Sequence, residues 1–174
     1  MSQFAVEGQK IFPITADITA AVNFIRANLS TADVVVMVSG DPGYYSMLDT
    51  LRREFDQKII EVIPSISAIQ LAFARAKMPW HNATLLSFHG RRPTDAELFY
   101  APDRVLGMLT DGNFNSQSIS KILIDVGWRP STRLIICARL SYDDEKIIRT
   151  TLETSARSEP IKHCVLIVGG EGND

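Results

Sequence analysis

Cysteine is scarce in this chain, with two among 174 residues, Cys137 and Cys164, each set inside an apolar run. There is no CxxC pair and no HExxH pattern, and the three histidines are scattered, so the sequence gives no basis for a protein-built metal site. The two thiols read as reduced, buried small hydrophobes. Net charge is nearly absent too: 18 basic against 20 acidic residues leave -2, which gives no pull towards nucleic acid or an anionic membrane. No apolar run approaches the roughly 18 residues that span a bilayer; the run at 34–38 ends in Ser39 and Gly40. Residues 1–9 are polar and lack the apolar centre of a secretory signal, so the cytosol is the expected compartment. Neither a GxGxxG nor a GxxxxGK[ST] loop occurs, which argues against a dinucleotide fold or a P-loop.

What is present is the pattern of a globular α/β chain. Apolar residues make up 45% and charged residues 22%, ordinary values for a folded domain. Apolar runs of strand length alternate with amphipathic segments of helix length. Strands are expected at 10–14, 33–38, 58–63, 83–88, 105–110, 133–140 and 162–168. Helices are expected at 17–29, 44–55, 67–77, 116–126 and 143–156, with Gly127 ending one of them and Pro79 following another. Such alternation implies βαβ units and largely parallel sheets. Residues 93–102, which hold Pro93 and Pro102 beside several charges, read as a hinge. Two α/β lobes follow, 1–92 and 103–174.

In open sheets of this kind ligands bind beyond the carboxyl ends of the strands, so the turns after the strands carry the most weight. The sharpest is Ser39-Gly40-Asp41-Pro42-Gly43-Tyr44. Gly40 permits a tight turn and a close backbone approach, and Asp41 offers a carboxylate to a hydroxyl or amine. Asp41 can equally be a simple helix cap. The second turn holds Ser65, Ser67 and Ala68, with Ser67 a natural cap for the following helix. The third is Thr110-Asp111-Gly112-Asn113 and the fourth Arg139-Leu140-Ser141; each has an ordinary turn reading beside the functional one. His89, Arg91 and Arg92 follow another strand and could face an anionic ligand, although a capping histidine and a solvated basic loop explain them as well. Ser39 and Ser67 have no histidine and acid at readable spacing, so nucleophilic hydrolysis is poorly supported.

Taken together, VVMVSGDPGYYSMLDTLRREF, EVIPSISAIQLAFARAKMPWHNATLLSFHGR, LTDGNFNSQSISKILIDVG and RLSYDDEKIIRTTLE resemble the tetrapyrrole (class III) methyltransferase family. The resemblance runs from about Lys10 to Val168. The QLAFARAKMPWHNATLLSFHGR stretch resembles the branch of that family that methylates ring carbon C5 of a precorrin in cobalamin biosynthesis. The resemblance implies two α/β lobes with S-adenosylmethionine as cofactor. Ser39, Gly40 and Asp41 would then contact its methionine part, with Ser67 and Ala68 beside them. Thr110, Arg139 and Leu140 would flank the adenosine. Tyr44 would face the tetrapyrrole; His89 is a further candidate on the substrate side, and Arg91, Arg92 and Arg139 could meet the ring carboxylates. A homodimer is implied, as is a separate or fused partner that methylates and decarboxylates at C15.

The sequence departs from the family at three points. No GxGPG loop precedes Lys10, so the first strand, loop and helix of the family are expected to be missing. Ser65 stands where the family tends to have glycine, and Ala138 where an acidic residue precedes the Arg-Leu pair. Two alternatives therefore stay open: a methylase-like protein that binds cofactor or tetrapyrrole without turnover, and a methylase for another precorrin. No side chain is singled out as a catalytic acid or base, because transfer from a sulfonium depends chiefly on alignment.

Overall fold

The computed structural model describes residues 5–169. The chain divides into two compact units, residues 1–65 and 66–174. The segment 93–102, expected as a hinge, carries a short helix, Asp95–Leu98, whose Leu98 is buried. The strand before that segment belongs to the same sheet as the strands after it. Hydrogen bonding between β-strands on either side of 93–102, invisible to local composition, keeps that segment inside one unit.

In residues 1–65 the helix α1, Ile18–Asn28, forms as its spacing predicts and buries Ala21, Val22 and Ile25. Asp17 caps it by accepting from the Ala20 N–H at 2.9 Å. Phe12 stacks on Phe24 at 4.7 Å between ring centroids. Arg26 pairs with Glu54 at 3.0 Å and lies over the Phe55 ring, tying α1 to α2, Leu48–Glu54. The helix expected at 44–55 thus starts later, because the chain turns through Pro42 to Met47 before it coils. The strands expected at 10–14, 33–38 and 58–63 are not assigned among the described residues. Gln57–Ile59 is a single 3-10 turn. Residues 33–38 carry no assigned element and alternate between half-buried and exposed, with Val35 80% exposed. A β-strand is defined by its ladder, and apolar sequence alone does not supply the partner.

Residues 66–169 hold one five-stranded sheet. Its strands are β1 Ala83–Ser87, β2 Val105–Leu109, β3 Arg133–Ala138, β4 Lys146–Thr151 and β5 Cys164–Gly169, in spatial order β1-β2-β5-β3-β4. The α/β class is as expected, but the mainly parallel sheet is not: only β1 and β2 run parallel, and β5 is antiparallel to both β2 and β3. The other difference lies at 143–156, expected as one helix. Residues 146–151 pair with all of β3 as an edge strand, and the helix that follows is short, Leu152–Arg157. The β-branched residues Ile147, Ile148, Thr150 and Thr151 favour the pleated conformation once β3 offers an open edge.

Both faces of the sheet are covered. Leu86, Leu106, Met108, Leu134, Ile136, Leu166 and Val168 pack with Ile119 and Leu123 of the helix Ser116–Asp125 and with Leu152. The Trp128 indole closes this side and donates to the Leu98 carbonyl at 2.7 Å. On the other face lies α3, Ala68–Ala76, which buries Ile69, Ala72 and Phe73. Gly107 makes room for it: a β carbon there would stand 2.7 Å from the Phe73 ring and 3.0 Å from Leu85.

Replacing Gly107 by alanine is expected to lower stability by about 1–3 kcal/mol, the usual cost of overpacking a filled core; an unchanged urea midpoint would contradict this packing. Cys137 and Cys164 are both buried, and burial pushes their thiols up to about 12 and about 11. Neither should react with a disulfide reagent at pH 8 while the protein is folded, and both should react in denaturant. Fast labelling of native protein would show that the core opens.

Candidate functional site

The SGDP turn is built around one carboxylate. Gly40 sits at φ +76°, in the left-handed region that favours glycine. Asp41 is not a helix cap, since α2 begins only at Leu48 with Met47 before it. Its Oδ1 accepts from the Gly43 N–H at 2.8 Å and its Oδ2 from the Ser65 N–H at 3.2 Å. It therefore fastens the turn after 33–38 to the turn after 58–63. Ser65 is not among the residues at positive φ, so its β carbon is tolerated where the family tends to have glycine. Ser39 is exposed. The Tyr44 hydroxyl is buried without a hydrogen-bond partner among the described residues. Burial first, and then the neighbouring Tyr45 phenol, push its ionisation well above the ordinary value.

In the second unit the sheet topology gathers the other turns. β5 runs opposite to β2 and β3, which makes β2 and β3 parallel in direction although they never pair. The register sets Ser87 beside Leu109, Leu109 beside Val165 and Cys164 beside Ala138. The turns after β1, β2 and β3 thus leave one edge of the sheet. They carry His89, Arg91 and Arg92; Thr110; and Arg139 and Leu140.

Several of the expected residues are engaged in bonds of their own. The Thr110 hydroxyl is buried, donating to the Cys164 carbonyl at 2.9 Å and accepting from the Cys164 N–H at 2.8 Å. Its side chain pins β2 to β5, which leaves its methyl group or carbonyl for a ligand. Arg92 pairs with Asp95 at 2.6 Å. Arg139 pairs with Asp144 at 3.0 Å and lies over the Tyr142 ring at 4.2 Å. His89 is exposed, and its N–H donates to the Ser87 hydroxyl at 3.2 Å. Ser67 caps α3 in a reciprocal box with Gln70, so its hydroxyl is occupied. Ala68 is exposed in the open first turn, where helix N–H groups lack intrahelical partners. Among the described residues no three His, Cys, Asp or Glu side chains cluster as a metal would need. No helix among them is long and apolar enough to cross a membrane.

Two carboxylates hold these turns: Asp111, which the sequence marks only as a turn residue, and Glu145, which it does not mark at all. Asp111 accepts from the N–H groups of Gly90, Asn113 and Phe114 at 2.9, 2.8 and 2.6 Å. Glu145 accepts from the Ser141 N–H at 3.0 Å and from Arg75 of α3 at 2.6 Å. It steadies a turn in which Arg139 and Ser141 both adopt positive φ, +55° and +68°, a conformation that costs a non-glycine residue energy and persists where the surroundings hold it. The Asp-Gly-Asn run does signal a side-chain turn at Asp111. Nothing local signals Glu145.

The Gly90 N–H holds Asp111 below the usual carboxylate range, and the Ser141 N–H does the same for Glu145. A carboxylate whose folded pKa is depressed contributes stability above its unfolded value, near 4, and loses it as pH falls through the folded value. Melting temperature should thus be flat from about pH 7 to 5 and fall below about pH 4. The fall should be shallower in an Asp111→Asn, Glu145→Gln double variant. Equal slopes would show that these bonds do not form.

Residues 6–156 match the family described as Tetrapyrrole (Corrin/Porphyrin) Methylases. The cobalt-precorrin-7 C(5)-methyltransferase of Salmonella typhimurium is 31% identical over 147 residues, 84% of this chain and 71% of that one. A precorrin-6Y C(5,15)-methyltransferase [decarboxylating] of a Sinorhizobium species is 30% identical over 145 residues, 79% of this chain and 34% of that one. Among solved structures, the uroporphyrin-III C-methyl transferase of Thermus thermophilus complexed with S-adenyl homocysteine superposes with a TM-score of 0.70 at 20% identity, over 94% of this chain and 77% of that one. Both the match across most of the chain and the 31% identity lead to one conclusion: this chain belongs to the tetrapyrrole methylases.

Proposed function

We propose that this chain transfers the methyl group of S-adenosylmethionine to carbon C5 of a precorrin in cobalamin biosynthesis. The observation that carries the reading is the convergence of three ligand-competent turns on one sheet edge in a chain of this family. The likeness to a cobalt-precorrin-7 C(5)-methyltransferase supports carbon C5.

The residues fit such a cofactor. Within residues 1–65, Gly40 brings backbone close without a β carbon and Ser39 and Asp41 offer a hydroxyl and a carboxylate suited to its amino-acid part; within residues 66–174, Ser67 and Ala68 offer backbone groups. Thr110, Arg139 and Leu140 border the adenosine through backbone and apolar surface. When bound, S-adenosylmethionine supplies an electrophilic methyl group whose sulfur departs as a neutral thioether. The protein's share is orientation, and aligning two reactants can lower a barrier by roughly 7–11 kcal/mol.

Tyr44, His89, Arg91 and Arg92 are assigned to the tetrapyrrole. The Arg92–Asp95 pair is exposed, with side chains 41% and 70% accessible. Such a pair contributes only about 0–1 kcal/mol, so a substrate carboxylate can exchange for Asp95. The same holds for Arg139 and Asp144. The reading extends to a cytosolic homodimer. The name of the longer relative, which joins C5 and C15 methylation with decarboxylation, supports a separate or fused C15-methylating partner.

Calorimetric titration with S-adenosylhomocysteine tests the cofactor assignment. Saturable binding is expected, and Asp41→Ala should weaken it about tenfold, the effect of losing about 1.4 kcal/mol. Binding by well-folded protein without methyl transfer to any C5-unmethylated precorrin would favour a binding protein. Transfer to a different ring carbon would reassign the substrate.

A further inference from the structure

Asp111 belongs to the turn after β2 yet spends one carboxylate oxygen outside it. Its Oδ1 closes its own turn by accepting from Asn113 and Phe114 at 2.8 and 2.6 Å, and its N–H donates to the Phe114 carbonyl at 2.9 Å. Its Oδ2 reaches the turn after β1 and accepts from the Gly90 N–H at 2.9 Å. Gly90 has φ +70° and is exposed, so the tip of that turn has no packed side chain; its flanks are held by the Phe88 N–H on the Leu109 carbonyl at 2.9 Å, the His89 N–H on the Ser87 hydroxyl at 3.2 Å and the Arg92–Asp95 pair at 2.6 Å. The turn after β2 is anchored independently. Thr110 grips both backbone groups of Cys164 through its hydroxyl, and the Asp111 carbonyl accepts from the His163 N–H at 3.4 Å. Asp111 thus joins the tip of the first turn to the second, which is anchored to β5.

We infer that Asp111 is a positioning residue that locks the His89–Arg92 turn to the Thr110 turn, so that the groups assigned to the tetrapyrrole are held in register with those assigned to the cofactor. The inference rests on the proposed assignment of those two turns. The residue types suit the task. A carboxylate has lone pairs for three N–H donors at once and no proton to oppose them, and its charge strengthens each bond. An asparagine keeps one acceptor oxygen for Asn113 and Phe114 but turns an amide N–H₂ group towards the Gly90 N–H. Asp111→Asn therefore releases the first turn and leaves the second closed.

Three measurements on the full chain and on Asp111→Asn decide it. Amide hydrogen exchange at Gly90 reads the lock itself and should quicken at least tenfold in the variant, while exchange at Phe114 stays slow. Affinity for S-adenosylhomocysteine should remain within about twofold. The KM for the precorrin should rise about tenfold with a smaller change in kcat, a split that general loosening of the fold would not give. Unchanged Gly90 exchange overturns the lock. Faster exchange with an unchanged KM overturns its role in substrate positioning, and equal losses in cofactor affinity and KM overturn the division between the two turns. A wild-type protein that binds no S-adenosylhomocysteine and methylates no precorrin overturns the proposed function and this role with it, whatever Gly90 does.

Discussion

The second unit depends on where β5 lies. Its residues are buried, Leu166 and Val168 completely, and both its edges are hydrogen-bonded, to β2 on one side and β3 on the other. Because it is antiparallel to each, β2 and β3 point the same way without touching. A continuous apolar run is the composition such a place requires, since a strand covered on both faces and paired on both edges meets no water. That one insertion brings the turns after β2 and β3 to the same end, and the parallel pairing of β1 with β2 adds a third.

The turns at that end are ordered by carboxylates that accept backbone N–H groups. Asp111 serves three donors, and Glu145 serves Ser141 together with Arg75. In the other unit Asp41 serves Gly43 and Ser65. Irregular backbone leaves N–H groups without ladder partners, and each needs an acceptor. An ionised carboxylate provides several in one place, with bonds stronger than neutral ones. The basic side chains nearby are held more loosely, in exposed pairs such as Arg139 with Asp144 and Arg92 with Asp95. The backbone frame is thus fixed while the charges that could meet an acidic tetrapyrrole stay exchangeable.

Much of the helical structure was legible in the sequence because its causes are local. The spacing of apolar residues with Asp17 at the start marks α1, and Ser67 with Gln70 marks α3. The turn glycine at position 40 and the buried cysteines could also be read directly. Within the candidate site, the placement of Thr110, Arg139 and His89 at strand ends was legible. The engagements of their side chains were not. The Thr110 hydroxyl is bound to Cys164, which lies 54 residues away in sequence. Asp111 could be read as a turn residue, but its bond to Gly90 could not, because that partner is 21 residues distant.

By itself, the sequence determined the α/β class, the helices with local caps, the absence of a cysteine- or histidine-rich metal motif, and a resemblance specific enough to name the family. Each of these rests on neighbours within a turn or two of the chain, or on motifs read as such. Only the tertiary structure decided that the sheet is mixed, that 146–151 is a strand, that the compact units meet at residues 65 and 66, and which carboxylate holds which turn. Those outcomes are set by hydrogen bonds between segments far apart in sequence. Residues 146–151 extend where β3 presents an open edge to them, and the Gly90 N–H meets its acceptor on a turn that the pairing of β1 with β2 brings beside it.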